Sequence, residues 1–305
     1  MRQGSRAGRA VYTAAPVVVA ALAHIGPAVT WLPELRRRHF PGLAGQGDAG
    51  HVALTFDDGP DPVSTPCVLD ALDGLGVRAT FFFLGENVAR WPAVAGDAVR
   101  RGHELAVHGW SHGRPWLPSP GRDVREVLRA AHVVGEVAGQ APRWYRPPYG
   151  ILTAGRWTAA RRAGLRPVLW TAWGRDWRED ATPASVRATV AAALRGGGGG
   201  TILLHDTDHT SAPGSWRATL GALPGIVRDC HEAGLEVGPL GRHGMTGTGT
   251  DAGADASGGA GGGASKGAAG TRRSGGAGTA AGPHGPGGCG DERGRRAVRD
   301  GADPP

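Results

Sequence analysis

The chain reads as an α/β protein built on a parallel sheet, on three observations. From His51 to Leu240, strand-like runs alternate with amphipathic stretches of helical period, the pattern of repeated βα units. Gly74, Gly102, Gly164 and Gly234 stand where those helices should be capped at their C-termini. Five segments rich in carboxylates, imidazoles and aromatics each follow directly on a strand, the end at which α/β barrels assemble their sites.

The elements follow in order. His51 to Phe56 alternates apolar residues and is the first strand; Val63–Leu75 is the first helix. Strands at 78–83, 103–107, 143–146, 166–171, 201–205 and 235–238 come next. Between them lie helices at Val88–Arg101, Asp123–Ala138, Ala154–Ala163, Pro183–Leu194 and Trp216–Ala233. The apolar run Thr201–Leu204 is of the fully buried kind, and Gly196–Gly200 is a loose loop leading into it.

The two ends differ from this body. Arg2, Arg6 and Arg9 precede an apolar stretch from Ala10 to Leu32, and Arg36-Arg37-Arg38 follow it. Residues 1–45 therefore read as a signal peptide, a membrane anchor or a helix packed on the domain. Residues 48–242 form the one foldable domain. Residues 243–305 are a Gly/Ala-rich tail with almost no large apolar side chains, expected to be disordered because it buries too little to offset its ordering entropy. The +7 net charge rests on arginine, with Lys266 the only lysine, and no basic-aromatic motif points to nucleic acid. A basic surface suits an anionic cell wall, and an association with membrane or wall is expected. Cys67, Cys230 and Cys289 make no disulfide framework and read as incidental thiols.

The chemistry begins at Thr55-Phe56-Asp57-Asp58-Gly59-Pro60. Two carboxylates at a strand end, ahead of a Gly-Pro turn, suit a division of labour in which one holds a cation and the other handles protons. The strand Glu104–Val107 then leads into His108-Gly109-Trp110-Ser111-His112, two imidazoles four residues apart. With Asp58 they form a three-ligand set that leaves a coordination position open. Three further strand ends carry Arg146-Pro147-Pro148-Tyr149-Gly150, Gly174-Arg175-Asp176-Trp177 and Leu203-Leu204-His205-Asp206.

These five ordered segments resemble the motifs of the polysaccharide deacetylase family, the NodB-like esterases of carbohydrate esterase family 4. The resemblance spans roughly His51 to Leu240 and implies a distorted (β/α) barrel, here with about seven parallel strands. It implies that Asp57 is the general base and that Asp58, His108 and His112 bind one divalent metal ion, zinc, cobalt or nickel. By the same carry-over Arg146 holds the base, and the Tyr149 N–H helps to bind the oxyanion. His205 is the general acid, Asp176 tunes it, and Trp177 and Leu203 line the acetyl pocket. Two positions depart from the family pattern: Gly109 replaces a Ser or Thr, and Trp173 replaces a second acid.

The expected function is a metal-dependent hydrolase that removes N-acetyl, or O-acetyl, groups from peptidoglycan or a chitin-like glycan. The expected setting is extracytoplasmic and the expected state monomeric. Two alternatives are a glycan-binding barrel without turnover and a deacylase of a small amide.

Overall fold

The computed structural model describes residue 19 and residues 22–114, 119–195 and 198–245. The basic start and the tail beyond Met245 lie outside the described residues, and so does the test of the disorder expected there.

Among the described residues eight strands form one sheet, and every pair in it is parallel. They are β1 (His51–Asp57), β2 (Thr80–Phe83), β3 (Glu104–Val107), β4 (Trp144–Tyr145), β5 (Arg166–Pro167), β6 (Ala172–Trp173), β7 (Gly200–His205) and β8 (Glu236–Gly238). The order is β5-β4-β3-β2-β1-β7-β6, with β8 paired to the first residues of β1. β5 and β6 therefore stand at opposite ends of the sheet. Yet only residues 168–171 separate them, and the five Cα steps from Pro167 to Ala172 span at most about 18 Å. Edges tied by so short a link are brought near each other only if the sheet curls into an incomplete barrel.

Of the strand expected at 166–171 only Arg166–Pro167 forms, and a second short strand, Ala172–Trp173, begins just beyond that span and pairs with a different neighbour. One continuous apolar run cannot reveal that its backbone leaves one edge and joins the other. The helix expected at Val88–Arg101 is likewise two, Gly85–Arg90 and Pro92–Arg100. Pro92 has no N–H to continue the first helix, and Trp91 sits between them in a non-helical conformation. The remaining helices lie within a few residues of expectation, and Pro183–Leu194 opens on a capping box between Thr182 and Ser185.

β1 is buried along its whole length, so its two faces serve two compartments. Val52, Leu54 and Phe56 join Phe81, Phe83 and the apolar faces of the helices in the main core, where Phe56 stacks on Phe81. Ala53 belongs instead to a small cluster with Phe82, Ala106, Trp144, Val168 and Leu240 inside the barrel. Thr55 and Asp57 continue that inward face by the two-residue period.

Ahead of the barrel, the 3-10 turn Gly26–Trp31 and the helices Pro33–His39 and Pro41–Ala44 pack onto it. Leu169 N donates to Leu43 O (2.7 Å), and Thr201 Oγ1 donates to Gly45 O (2.8 Å). Among the described residues no helix is long and apolar enough to cross a membrane. Cys230 is a free, buried thiol, whereas Cys67 is disulfide-bonded, which corrects the expectation of three incidental thiols. Three cysteines allow one bridge, and their number does not say which residues make it.

Candidate active site

Asp57 is the last residue of β1 and points inward. Its Oδ1 accepts from Arg146 Nη1 at 2.7 Å, and the same nitrogen donates to Thr55 Oγ1 at 2.8 Å. Arg146 is fully buried, lies 4.0 Å from the centre of the Phe82 ring, and donates its other terminal nitrogen to Leu169 O. Burial weakens its hold on the proton, and the contact with Asp57 opposes that weakening. The pair is thus a buried ion pair fixed from three sides, the kind that is costly to break from one side.

The next residue leaves the strand. Asp58 adopts φ +82°, which turns its side chain out of the strand alternation and into the cleft that Asp57 faces. Asn87 Nδ2 anchors its carbonyl at 2.9 Å. Gly59 follows because a side chain does not fit: a Cβ there would lie 2.2 Å from Asp206 Oδ2. Asp206 receives the Gly59 N–H and the Thr65 hydroxyl, which pins the turn.

Asp58 Oδ1 lies 3.3 Å from His108 Nε2 and 3.7 Å from His112 Nε2. Donor atoms of the three residues all fall within 4.8 Å of one another, and Asp58 and His108 are buried. Two donors each 2.0–2.1 Å from a tetrahedral ion stand roughly 3.4 Å apart, so the spacing suits one shared cation. Asp58 Oδ1 is buried and accepts no hydrogen bond, and His108 Nδ1 is likewise unpartnered. Asp58 Oδ2 accepts from the Thr210 hydroxyl, which leaves Oδ1 as the oxygen for a cation. Burial alone would raise the Asp58 carboxyl. The imidazoles of His108, His205 and His112 outweigh it and hold the group far below the usual carboxylate range. Burial pushes His112 down to about 4 against the pull of Asp58, so its imidazole is neutral at pH 7 and able to ligate.

Across the cleft His205 ends β7, where it pairs in register with Asp57. Asp176 holds it twice, accepting from the backbone N–H at 2.7 Å and from Nδ1 at 3.0 Å. Thr219 Oγ1 donates to the same carboxylate at 2.6 Å. Burial would lower the imidazole, but the Asp176 charge and hydrogen bond, with Asp58 and Asp57 beyond, raise it to about 10. His205 is therefore protonated at neutral pH, with Nε2 left for a ligand.

A cavity of about 670 Å³ joins these groups. Asp57, His108, His112 and His205 line it together with Tyr149, Trp170, Trp173, Trp177 and Leu203. Tyr149 has φ +61° and sets its ring edge-on to His112 with centroids 4.3 Å apart. Trp173 and Trp177 stack at 6.1 Å. All ten residues singled out in the sequence thus border or directly support one cleft: eight line it or, like Asp58, share its donor cluster, while Arg146 and Asp176 lie behind Asp57 and His205. Gly109, where the family pattern has Ser or Thr, adopts φ +113°, a conformation that L side chains rarely take.

Sequence reasoning missed Thr210, Asn87, Thr219 and Thr55, which hold Asp58, Asp176 and Arg146. Thr55 opens the first chemical segment but carries no signal of its own there, whereas Asn87, Thr210 and Thr219 lie outside all five segments.

A parallel barrel whose strand ends converge on a carboxylate–imidazole cluster, beside a second carboxylate and a charged imidazole, belongs to the metal-dependent hydrolase class. Comparison with known proteins narrows the class. The model of the family described as polysaccharide deacetylase matches residues 44–168. A chitooligosaccharide deacetylase of Bradyrhizobium sp. (strain ANU 289) is 37% identical over 215 residues, covering 67% of this chain and 94% of that protein. A peptidoglycan-N-acetylglucosamine deacetylase of Bacillus cereus is 31% identical, over 65% of this chain and 70% of its own length. Among solved structures, the Bc1960 peptidoglycan N-acetylglucosamine deacetylase superposes with a TM-score of 0.62 at 27% identity, over 71% of this chain and 99% of that one. The chain belongs to the polysaccharide deacetylase family.

Proposed function

We propose that this chain hydrolyses N-acetyl groups on a glycan of the chitooligosaccharide or peptidoglycan type, with one divalent cation held by Asp58, His108 and His112. The observation that carries the reading is the unpartnered Asp58 Oδ1, 3.3 and 3.7 Å from two imidazole nitrogens in a buried cluster. Two imidazole nitrogen donors with one carboxylate suit zinc, and cobalt or nickel on the same ligands.

When bound, such an ion supplies Lewis acidity toward the acetyl carbonyl and acidifies water at the site. The protein's own groups do the rest. Asp57, held through Oδ1 by Arg146, takes the proton of the attacking water at Oδ2. The Tyr149 backbone, turned by its positive φ, presents its N–H toward the oxyanion that develops. His205, charged through Asp176, gives its Nε2 proton to the departing amine. Trp177 and Leu203 wall the space for the acetyl methyl group. An ester presents the same carbonyl, so O-acetyl groups are chemically accessible to the same apparatus.

Residues 48–242 constitute the catalytic domain under this reading, and a peptidoglycan substrate supports an extracytoplasmic setting. The test is acetate release from a panel of N- and O-acetylated glycans, with and without a chelator. Release that the chelator abolishes, and that added zinc or cobalt restores, is expected. No acetate from any glycan, or release indifferent to chelation, would overturn the proposal.

A further inference from the structure

The cavity has a wall that the five motif segments do not supply. Trp31 and Ala28, from the 3-10 turn ahead of the barrel, line it together with Asp57, His108 and His205. Trp31 lies outside residues 44–168, the stretch matched by the family model. Its side chain is 48% exposed, although a ring of that size ordinarily buries its apolar faces.

The turn that carries Trp31 is fastened by a buried arginine. Arg36 is 2% exposed, and among the described residues it has no carboxylate partner. Its guanidinium is spent on backbone carbonyls instead. Nη1 donates to Thr30 O at 3.0 Å and reaches Trp31 O at 3.4 Å, while Nη2 donates to Trp170 O at 2.8 Å. Trp170 itself lines the cavity and lies 5.5 Å, centroid to centroid, from Trp173. One charged fork therefore ties the turn to the aromatic side of the cleft. Burying a guanidinium without a carboxylate is unfavourable, and here Nε also finds no acceptor, so a clamp kept at that cost implies a position worth fixing.

We propose that Trp31 is a specificity-determining residue, whose ring receives the sugar adjacent to the one being deacetylated, and that Arg36 is its positioning residue. The inference rests on the function proposed above. A pyranose presents polar hydroxyls at its rim and apolar C–H groups on its faces, and an aromatic face with negative quadrupole attracts those C–H groups. A cavity of about 670 Å³ lies in the range that houses whole ligands, more than an acetyl group needs, and it leaves space for a second ring. The chain thus favours acetylated oligosaccharides over single acetylated sugars.

The test uses the full chain, loaded with zinc, and N-acetylglucosamine as monomer and as tetramer. Trp31→Ala should lower the tetramer-to-monomer ratio of kcat/KM about tenfold, carried by a rise in tetramer KM with little change in kcat. Trp31→Tyr should restore most of the ratio, and Arg36→Met should reproduce the KM rise with the indole still present. Val29→Ala, on the same turn but outside the cavity lining, should leave the ratio alone. An unchanged tetramer KM in Trp31→Ala overturns the proposal. Calorimetric binding of the tetramer separates it from the parent reading. If the wild type releases no acetate, the catalytic proposal falls, while equal affinities of wild type and Trp31→Ala, or no binding by either, still overturn the subsite.

Discussion

Replacing Asp176 by Asn keeps the side chain's shape and removes one charge 3.0 Å from the His205 Nδ1. That charge is the largest influence holding the imidazole up at about 10, against burial that would lower it. An opposite charge at such range shifts a pKa by about 1–3 units, so the variant's imidazole should titrate about 2 units lower, near 8. The sign follows from the role. A general acid works only while protonated, so activity is full below the folded pKa and lost as pH rises through it. At pH 9 the protonated fraction falls from roughly 90% to roughly 10%, a tenfold loss of kcat, whereas at pH 6 both proteins are protonated and differ little. The assay is kcat for acetate release from pH 5.5 to 10.5. A uniform loss at every pH, with the alkaline limb unmoved, would refute the electrostatic reasoning and leave Asp176 an orienting group only.

Three further outcomes follow from other contacts. Arg146→Met leaves the Asp57 carboxylate buried without its partner and should destabilise the fold by about 3–5 kcal/mol in urea denaturation; adding Asp57→Asn should recover part of that loss. Asp206 is pushed up to about 7, chiefly by burial, which the Thr65 hydrogen bond opposes. A raised folded pKa on an acid means stability present below 3.8 and lost as pH rises through 7. The urea midpoint of the wild type should thus fall between pH 4 and pH 7 more than that of Asp206→Asn, and parallel curves would contradict this. His112→Ala should lower bound metal and acetate release together, measured by elemental analysis on the assayed sample, while full occupancy would remove His112 from the ligand set.

The parts of the site legible in the sequence share one cause. Asp57, Asp58, His108 and His205 lie at or within one residue of strand ends, and Arg146 directly follows β4, so an alternating strand followed by a chemical side chain marks each. His112 added a helical spacing to His108. What held those groups was not legible. Thr210 and Thr219 lie in or beyond the loop after β7 and reach Asp58 and Asp176 across more than forty residues of sequence. A hydroxyl in such a loop is common, and only the tertiary fold gives it a partner. The same limit applies to Trp31 and Arg36, whose apolar and basic surroundings read as a leader, an anchor or a packed helix; the contact of Arg36 with Trp170 O is not visible in that pattern. The end of β5 at Pro167 and the start of β6 at Ala172 were hidden because the residues between them are apolar too, and pairing alone separates the two strands. The break at Trp91 had a visible signal in Pro92, whose missing N–H a single long helix cannot accommodate.

The central claim is that the two neighbouring carboxylates have separate duties, Asp58 toward a cation and Asp57 toward a proton. Asp57→Asn separates them in one measurement, with metal content and acetate release read on the same zinc-loaded sample. The variant should hold one ion per chain, as in the wild type, with acetate release down about 10²–10⁴-fold. Turnover at the wild-type rate, or loss of the ion along with the activity, would contradict it.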